Sequence, residues 1–241
     1  MPTSLNSSNH CSNRILAALP IAEYDQLLPY LTITQLTSDT VLYKPEELIS
    51  AVYFPTTAVI SIVGSTQEGS STEIGMIGSE GMVGLPAFFG VAIHPYQVIC
   101  QLPGEALKLP VEILRDALTY SSSLYRILLR YSYAYLVQLA QSAICNRFHP
   151  LEERLCRWLL VAQDRARRDQ LQFTQEFLAQ MIGARRVAVG LTANTLQSAG
   201  LIRYHRGQIT ILDRSGLEGS ACECYQVVRK EFDAFLDSLN D

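Results

Sequence analysis

Residues 174–200 read TQEFLAQMIGARRVAVGLTANTLQSAG, and the fold follows from how this stretch divides. Thr174 is an N-cap residue with Glu176 in the first turn behind it, where a carboxylate suits the helix dipole. Phe177, Leu178, Met181 and Ile182 supply one apolar face. Gly183-Ala184-Arg185 makes a tight turn, because glycine ends a helix in the left-handed conformation at little steric cost. A second helix over about Arg186 to Ser198 has Val189, Ala193 and Leu196 at core spacing and stops at Gly200. Helix, tight turn and helix is the arrangement that lays its second helix in the DNA major groove. Arg185 and Arg186 stand at the start of that second helix, where positive charge is disfavoured by the dipole and an anionic ligand would offset it.

Downstream, Leu201 to Tyr204 and Ile209 to Leu212 alternate as two strands around His205-Arg206-Gly207-Gln208. A β-hairpin carrying Arg203, His205 and Arg206 beside a helix pair makes a winged helix, and wing cations typically reach phosphate. Charge by segment agrees. Residues 150–214 contain 10 basic and 6 acidic side chains, whereas residues 1–149 have 7 and 11, and residues 215–241 have 2 and 6. A positive block inside a chain of net charge −4 points to a local anionic partner and excludes a uniformly basic coat.

Upstream, Val41 to Tyr43, Val52 to Phe54, Val59 to Val63, Glu73 to Ile77, Gln97 to Leu102 and Ala106 to Leu109 read as short strands punctuated by Gly and Pro, a small barrel or sandwich pattern. Before them, Ile15 to Leu31 reads as one or two short helices broken at Pro20 and Pro29. Leu124 to Arg147 contains neither Pro nor Gly and reads as one long helix. One stripe on it runs Leu124, Leu128, Tyr131, Tyr135, Gln138, Ser142, Cys145, and a second runs Leu129, Leu136, Leu139, Ala143. Two apolar faces suit a helix that packs on its own domain and on a second copy, and the first stripe is taken as the dimer interface. His149-Pro150 ends the helix and is a candidate hinge. Leu151 to Asp164 restarts as an amphipathic helix through Leu155, Trp158, Leu159 and Ala162.

Several function classes find no support. The longest apolar run, Leu85 to Ile93, is far short of the roughly 18 residues of a membrane helix and contains Pro86, and the polar start Met1 to Asn13 lacks the pattern of a signal peptide. A cytoplasmic location without membrane attachment is expected. His10, His94, His149 and His205 lie in unrelated contexts with no catalytic motif nearby, so no enzyme is expected. Of the six cysteines, Cys11, Cys100, Cys145, Cys156, Cys222 and Cys224, the close pair Cys222 and Cys224 would on a helix point about 200° apart. They are read as inert, partly buried thiols, with no metal and no cofactor expected.

At these residues the sequence resembles the Crp/Fnr family of dimeric transcription regulators, over nearly its whole length. Thr174 to Gly183 matches the beginning of the family's helix-turn-helix. The resemblance implies an α+β chain: an antiparallel β-roll of the cyclic-nucleotide-binding kind over 14–120, a dimerisation helix over 121–148, a winged helix-turn-helix domain over 149–216 and a helical tail over 217–241. It implies a homodimer that binds double-stranded promoter DNA, with RNA polymerase as a partner for activation. The DNA-binding residues expected are Thr174, Glu176, Arg185, Arg186, Val187, Ala188, Arg203, His205 and Arg206.

The departures bear on function. The base-reading Glu and Arg of the family fall at Val187 and Leu191 here, which leaves Arg186 for guanine, Arg185 for phosphate or a neighbouring base, and Val187 and Ala188 for a thymine methyl. In the roll, the turn Glu80-Gly81-Met82-Val83-Gly84 precedes Leu85 where nucleotide-binding members have Glu, and their Arg-Ser pair falls near His94-Pro95. Lys44 and Lys108 are the cations between residues 15 and 114. The effector domain is thus expected to be degenerate, with a haem reading resting on His94 or Cys100 alone. The other class is a protein-interaction or sensor module that kept this fold and lost specific DNA binding.

Overall fold

A computed structural model describes residues 11–239; the polar start up to His10 lies outside the described residues. The helices and strands follow in order α1 (Arg14–Ala17), α2 (Ile21–Leu27), β1 (Thr32–Leu36), β2 (Val41–Tyr43), β3 (Glu47–Leu48), β4 (Ala51–Pro55), β5 (Val59–Ser65), β6 (Ser71–Ile77), α3 (Leu85–Phe88), β7 (Ile93–His94), β8 (Gln97–Leu102), β9 (Gly104–Pro110), α4 (Val111–Tyr120), α5 (Ser122–Phe148) and α6 (Leu151–Ala166). Then come β10 (Gln170–Gln172), α7 (Gln175–Ile182), α8 (Arg186–Ser198), β11 (Ile202–His205), β12 (Gln208–Ile211), α9 (Arg214–Ser220) and α10 (Cys224–Asp237). Among the described residues no helix is long and apolar enough to cross a membrane.

Contacts divide the chain into two units. One takes in residues up to Ser61, Ile77–Tyr135 and residues from Phe232, and the other Ile62–Met76 and Leu136–Glu231. The first holds the sheet β1-β9-β4, the pair β3-β7 and the strands β2 and β8 of a β-roll, with antiparallel registers such as Phe54↔Leu107 and Val52↔Leu109. Val59 to Val63 is a continuous buried run, whereas β1 shows little burial before Leu36. Buried Asn13 closes the entrance to α1. Its Oδ1 accepts from the Ile15 and Leu16 amides, and its Nδ2 donates to the carbonyls of Pro55 and Gly81. All its bonding capacity is thereby used, so a buried polar side chain is tolerated.

In the second unit, α6, α7, α8 and the β10-β12-β11 sheet enclose Leu155, Leu159, Leu178, Ile182, Val189, Ala193, Leu196, Ile202 and Ile209. Trp158 and Phe173 meet edge to face with centroids 4.9 Å apart, and Phe173 stacks on Phe177. Most of the β5-β6 hairpin, Ile62–Met76, belongs to this unit: Thr72 donates to the Met181 carbonyl, Gln180 to the Ser71 hydroxyl, and the Trp158 indole to Glu73.

One expectation about α5 is overturned. Leu124, Leu128, Tyr131, Tyr135, Gln138 and Cys145 are buried by their own chain, with Ser142 half-buried. A side chain already covered has no area left for a second copy to cover, so this stripe packs the monomer. The large exposed apolar side chains of α5 are Tyr125, Leu129, Tyr133, Leu136, Ile144 and Phe148, with Leu129 at 50% and Leu136 at 60%. They recur at spacings of three, four and eight, which keeps them on one side of the helix.

Candidate nucleic-acid interface

The Thr174 side chain accepts from the Phe177 amide at 3.1 Å, capping α7. At the other end Gly183 is left-handed, φ 64°, and the Ala184 amide donates to the Ala179 carbonyl at 2.9 Å, which closes the helix as a Schellman turn. Arg154 from α6 donates to the Ile182 carbonyl as well. Both ends of α7 are therefore fixed, and the turn aims α8. Thr174→Ala is expected to lower stability by about 0.5–2 kcal/mol, and Gly183→Ala by about 1–2 kcal/mol for the left-handed backbone it forces on a Cβ. Urea unfolding of each variant measures both.

Arg185 caps α8 without a side-chain bond, and Val189, Ala193 and Leu196 bury its inner face. The outer face carries Arg185, Arg186, Val187, Leu191 and Asn194, all exposed, with Ala188 half-buried. Val187 and Leu191 are 75% and 65% exposed. Arg186 Nε lies 3.8 Å from the Glu176 carboxylate, and both side chains are mostly solvated. Such a pair is weak. Glu176, expected among the DNA-binding residues, thus lies beside Arg186 at the start of α8. Asn194 was not among the residues singled out from sequence; its place two turns along the exposed face from Val187 is a helical periodicity that could have found it, and its amide can pair with adenine.

The wing is β11 and β12 in antiparallel register, His205↔Gln208, joined by Arg206 and Gly207 with φ 47° and 78°. Two consecutive positive φ values make the tight turn whose twist suits a hairpin. Gln197 of α8 accepts from the Tyr204 amide at 2.7 Å, and the Tyr204 hydroxyl donates to the Phe173 carbonyl at 3.1 Å. The wing is thus pinned to α8, with Arg203, His205 and Arg206 exposed.

The basic block is smaller than its count. Arg214 reaches Asp164, Glu218, Gln163 and Tyr225. Arg157 donates to the Cys145 sulfur and Arg165 to Gln138. With Arg154 on Ile182, four of the ten arginines hold the domain together. Arg167, Arg168, Arg185, Arg186, Arg203 and Arg206 are the exposed ones.

In the roll, Gly81 stands where an added Cβ would come 2.5 Å from the Tyr131 hydroxyl, which donates to the Met82 carbonyl. Leu85 is buried at the start of α3. His94 is buried and stacked on Tyr43, its Nδ1 paired with the Tyr96 carbonyl at 2.8 Å, and burial lowers its pKa. The Cys100 thiol donates to the Leu102 carbonyl, and burial pushes it up to about 12. Lys108 lies over the Tyr53 ring and Lys44 is exposed.

The expectation for Cys222 and Cys224 is also corrected. Cys222 precedes α10 and is not helical, and Cys224 opens that helix, so the helical 200° divergence does not apply. Both thiols are buried with Cys145 in one cluster.

Two family models match the chain: a cyclic nucleotide-binding domain over residues 33–121 and a Crp-like helix-turn-helix domain over residues 153–219. No curated protein sequence matches. Among solved structures, a putative Crp/Fnr-family regulator from Eubacterium rectale superposes with TM-score 0.66 at 17% identity, covering 83% of this chain and 94% of its own. FixK2 from Bradyrhizobium japonicum gives 0.69 at 15%, covering 80% and 98%. The c-di-GMP-responsive regulator CLP from Xanthomonas campestris gives 0.64 at 17%, covering 80% and 100%. At these identities the likeness is one of fold.

Proposed function

From the premise that this chain belongs to the Crp/Fnr family of transcriptional regulators, we propose that it is a homodimer that reads a near-palindromic DNA site through α8 and the β11-β12 wing. The observation that carries this reading is the convergence of Arg185, Arg186, Arg203, His205 and Arg206 on the exposed surface of a capped helix pair and its hairpin. Arg186 contacts guanine, while Arg185, Arg203 and Arg206 contact phosphate. Val187 and Ala188 meet a thymine methyl. Thr174 caps α7 beside the backbone, and His205 extends the wing contact.

The second copy docks along Tyr125, Leu129, Tyr133, Leu136 and Ile144, and two-fold symmetry sets two recognition helices about 34 Å apart, one turn of DNA. In this reading residues 14–120 form the roll, 121–148 the dimerisation helix, 149–216 the DNA-binding domain and 217–241 the tail. The protein works in the cytoplasm as a regulator rather than an enzyme, with RNA polymerase as partner where it activates.

The roll takes no cyclic nucleotide. Leu85 stands buried at the carboxylate position, and neither Lys44 nor Lys108 replaces the phosphate-gripping arginine. Titration calorimetry with cyclic AMP and cyclic GMP is expected to give no binding heat; saturable heat from either would contradict this.

One observation favours a second reading. Val187 and Leu191 expose apolar surface where the family reads bases, which suits a protein partner. Salt separates the two. Six phosphate contacts per dimer predict a slope of log affinity on log salt of about −5 on duplex DNA. Absence of duplex binding even at low salt would favour the interaction module.

A further inference from the structure

Cys145 and His149 are four residues apart on one face at the end of α5, and the His149 amide still donates to the Cys145 carbonyl at 3.2 Å, so the helical register holds to His149. Far along the chain, the Tyr225 amide donates to the Cys222 carbonyl at 3.1 Å, and this turn brings the Cys222 and Cys224 sulfurs back to the same point. One donor atom from each of Cys145, His149, Cys222 and Cys224 lies within 4.8 Å of the other three.

We propose that these four residues are the ligands of one tetrahedral zinc ion, a Cys3His site that ties the end of α5 to the segment between α9 and α10. The spacing fits. Zn–S near 2.3 Å and Zn–N near 2.0–2.1 Å at tetrahedral angles require about 3.8 Å between two sulfurs and about 3.6 Å between sulfur and nitrogen. Cys145 and Cys222 sulfurs are 3.5 Å apart, and Cys224 Sγ is 3.6 Å from His149 Nδ1.

The surroundings complete the chemistry. With Nδ1 turned to the sulfurs, His149 presents Nε2 to the Glu223 carboxylate at 3.2 Å. A carboxylate on the far ring nitrogen fixes the tautomer and raises the basicity of the ligating one. Arg157 Nε donates to Cys145 Sγ at 3.1 Å, and its charge offsets the negative excess of three thiolates over a divalent cation. Burial of all three cysteines closes the site to substrate, which makes it structural rather than catalytic. Four donors drawn this tightly surround one ion; an iron–sulfur cluster needs room for its bridging sulfides. Thiolate-rich tetrahedral sets select zinc among the common divalent metals.

Elemental analysis of the full-length, untagged protein, purified with reductant and without chelator, tests this. About one zinc per chain is expected. Cys222→Ser and Cys224→Ser should lose it, while Cys156→Ser, a buried thiol outside the cluster, keeps it. Glu223→Ala should release zinc to a chromogenic chelator with an affinity about 10–100-fold weaker. Should the serine variants fold poorly by circular dichroism, cobalt added to metal-stripped wild-type protein gives an independent reading: thiolate-to-cobalt charge transfer and the visible bands of tetrahedral cobalt. Metal-free protein with free thiols and no cobalt spectrum overturns the proposal. So does a Cys145–Cys222 disulfide in the protein as isolated, or iron in place of zinc. None of these outcomes depends on DNA binding.

Discussion

The double variant Leu129→Glu/Leu136→Glu is expected to sediment as a folded monomer and to lose binding to any two-fold site. Each leucine exposes about half of its surface in the monomer, and covering that half stabilises by roughly 0.8–1.5 kcal/mol, half the value for complete burial. In an isologous interface every residue acts twice. Four leucine side chains are therefore removed, about 3 kcal/mol at the low end before the carboxylates' own desolvation is added. Leu128→Glu makes the contrast: Leu128 is fully buried by its own chain, so that variant should lose folded protein rather than dimer. Sedimentation velocity with circular dichroism distinguishes the two. A stable dimer in the double variant would move the interface elsewhere.

Arg186→Ala is expected to weaken binding to the preferred site by about 1–3 kcal/mol and to relax the preference at one base pair, as removal of a bidentate guanine pairing does. Arg206→Ala should weaken binding on all sequences alike and reduce the salt slope by about 1 for each phosphate it leaves unneutralised. The difference follows from position. Arg186 starts α8 on its exposed face, whereas Arg206 tips a two-residue hairpin turn. Equal losses for Arg186→Ala on preferred and random duplexes, measured by fluorescence anisotropy, would remove its base-reading role. Glu176→Ala should act in the same direction as Arg186→Ala but more weakly, because the pair is solvated.

What could be read from the sequence was local. Thr174 and Gly183 bracket α7 because a cap and a left-handed stop act within one turn of the helix, and both do so in the structure. The alternation of Leu201 to Tyr204 and Ile209 to Leu212 similarly marked the wing, to within a residue at each end. Strand β1 escaped notice because its five residues, TITQL, bury little before Leu36, and β3 and β7 are two residues each. Long-range pairings were out of reach. Nothing near Arg214 in sequence announces Asp164 as its partner, and nothing near Cys145 announces Cys222. Counting ten arginines therefore overstated the charge available to DNA. The first stripe on α5 misled for another reason: a period near 3.5 says that a face is apolar, not whether its own chain or a second copy covers it.

Selection of binding sites from a random duplex library by the purified protein, without added ligand, shows whether the chain reads DNA as a two-fold dimer. Enrichment of an inverted repeat with half-site centres about one helical turn, 34 Å, apart is expected, with a guanine in each half-site that Arg186→Ala no longer selects. A pool that stays random through successive rounds, with protein shown to be folded and dimeric, would contradict it.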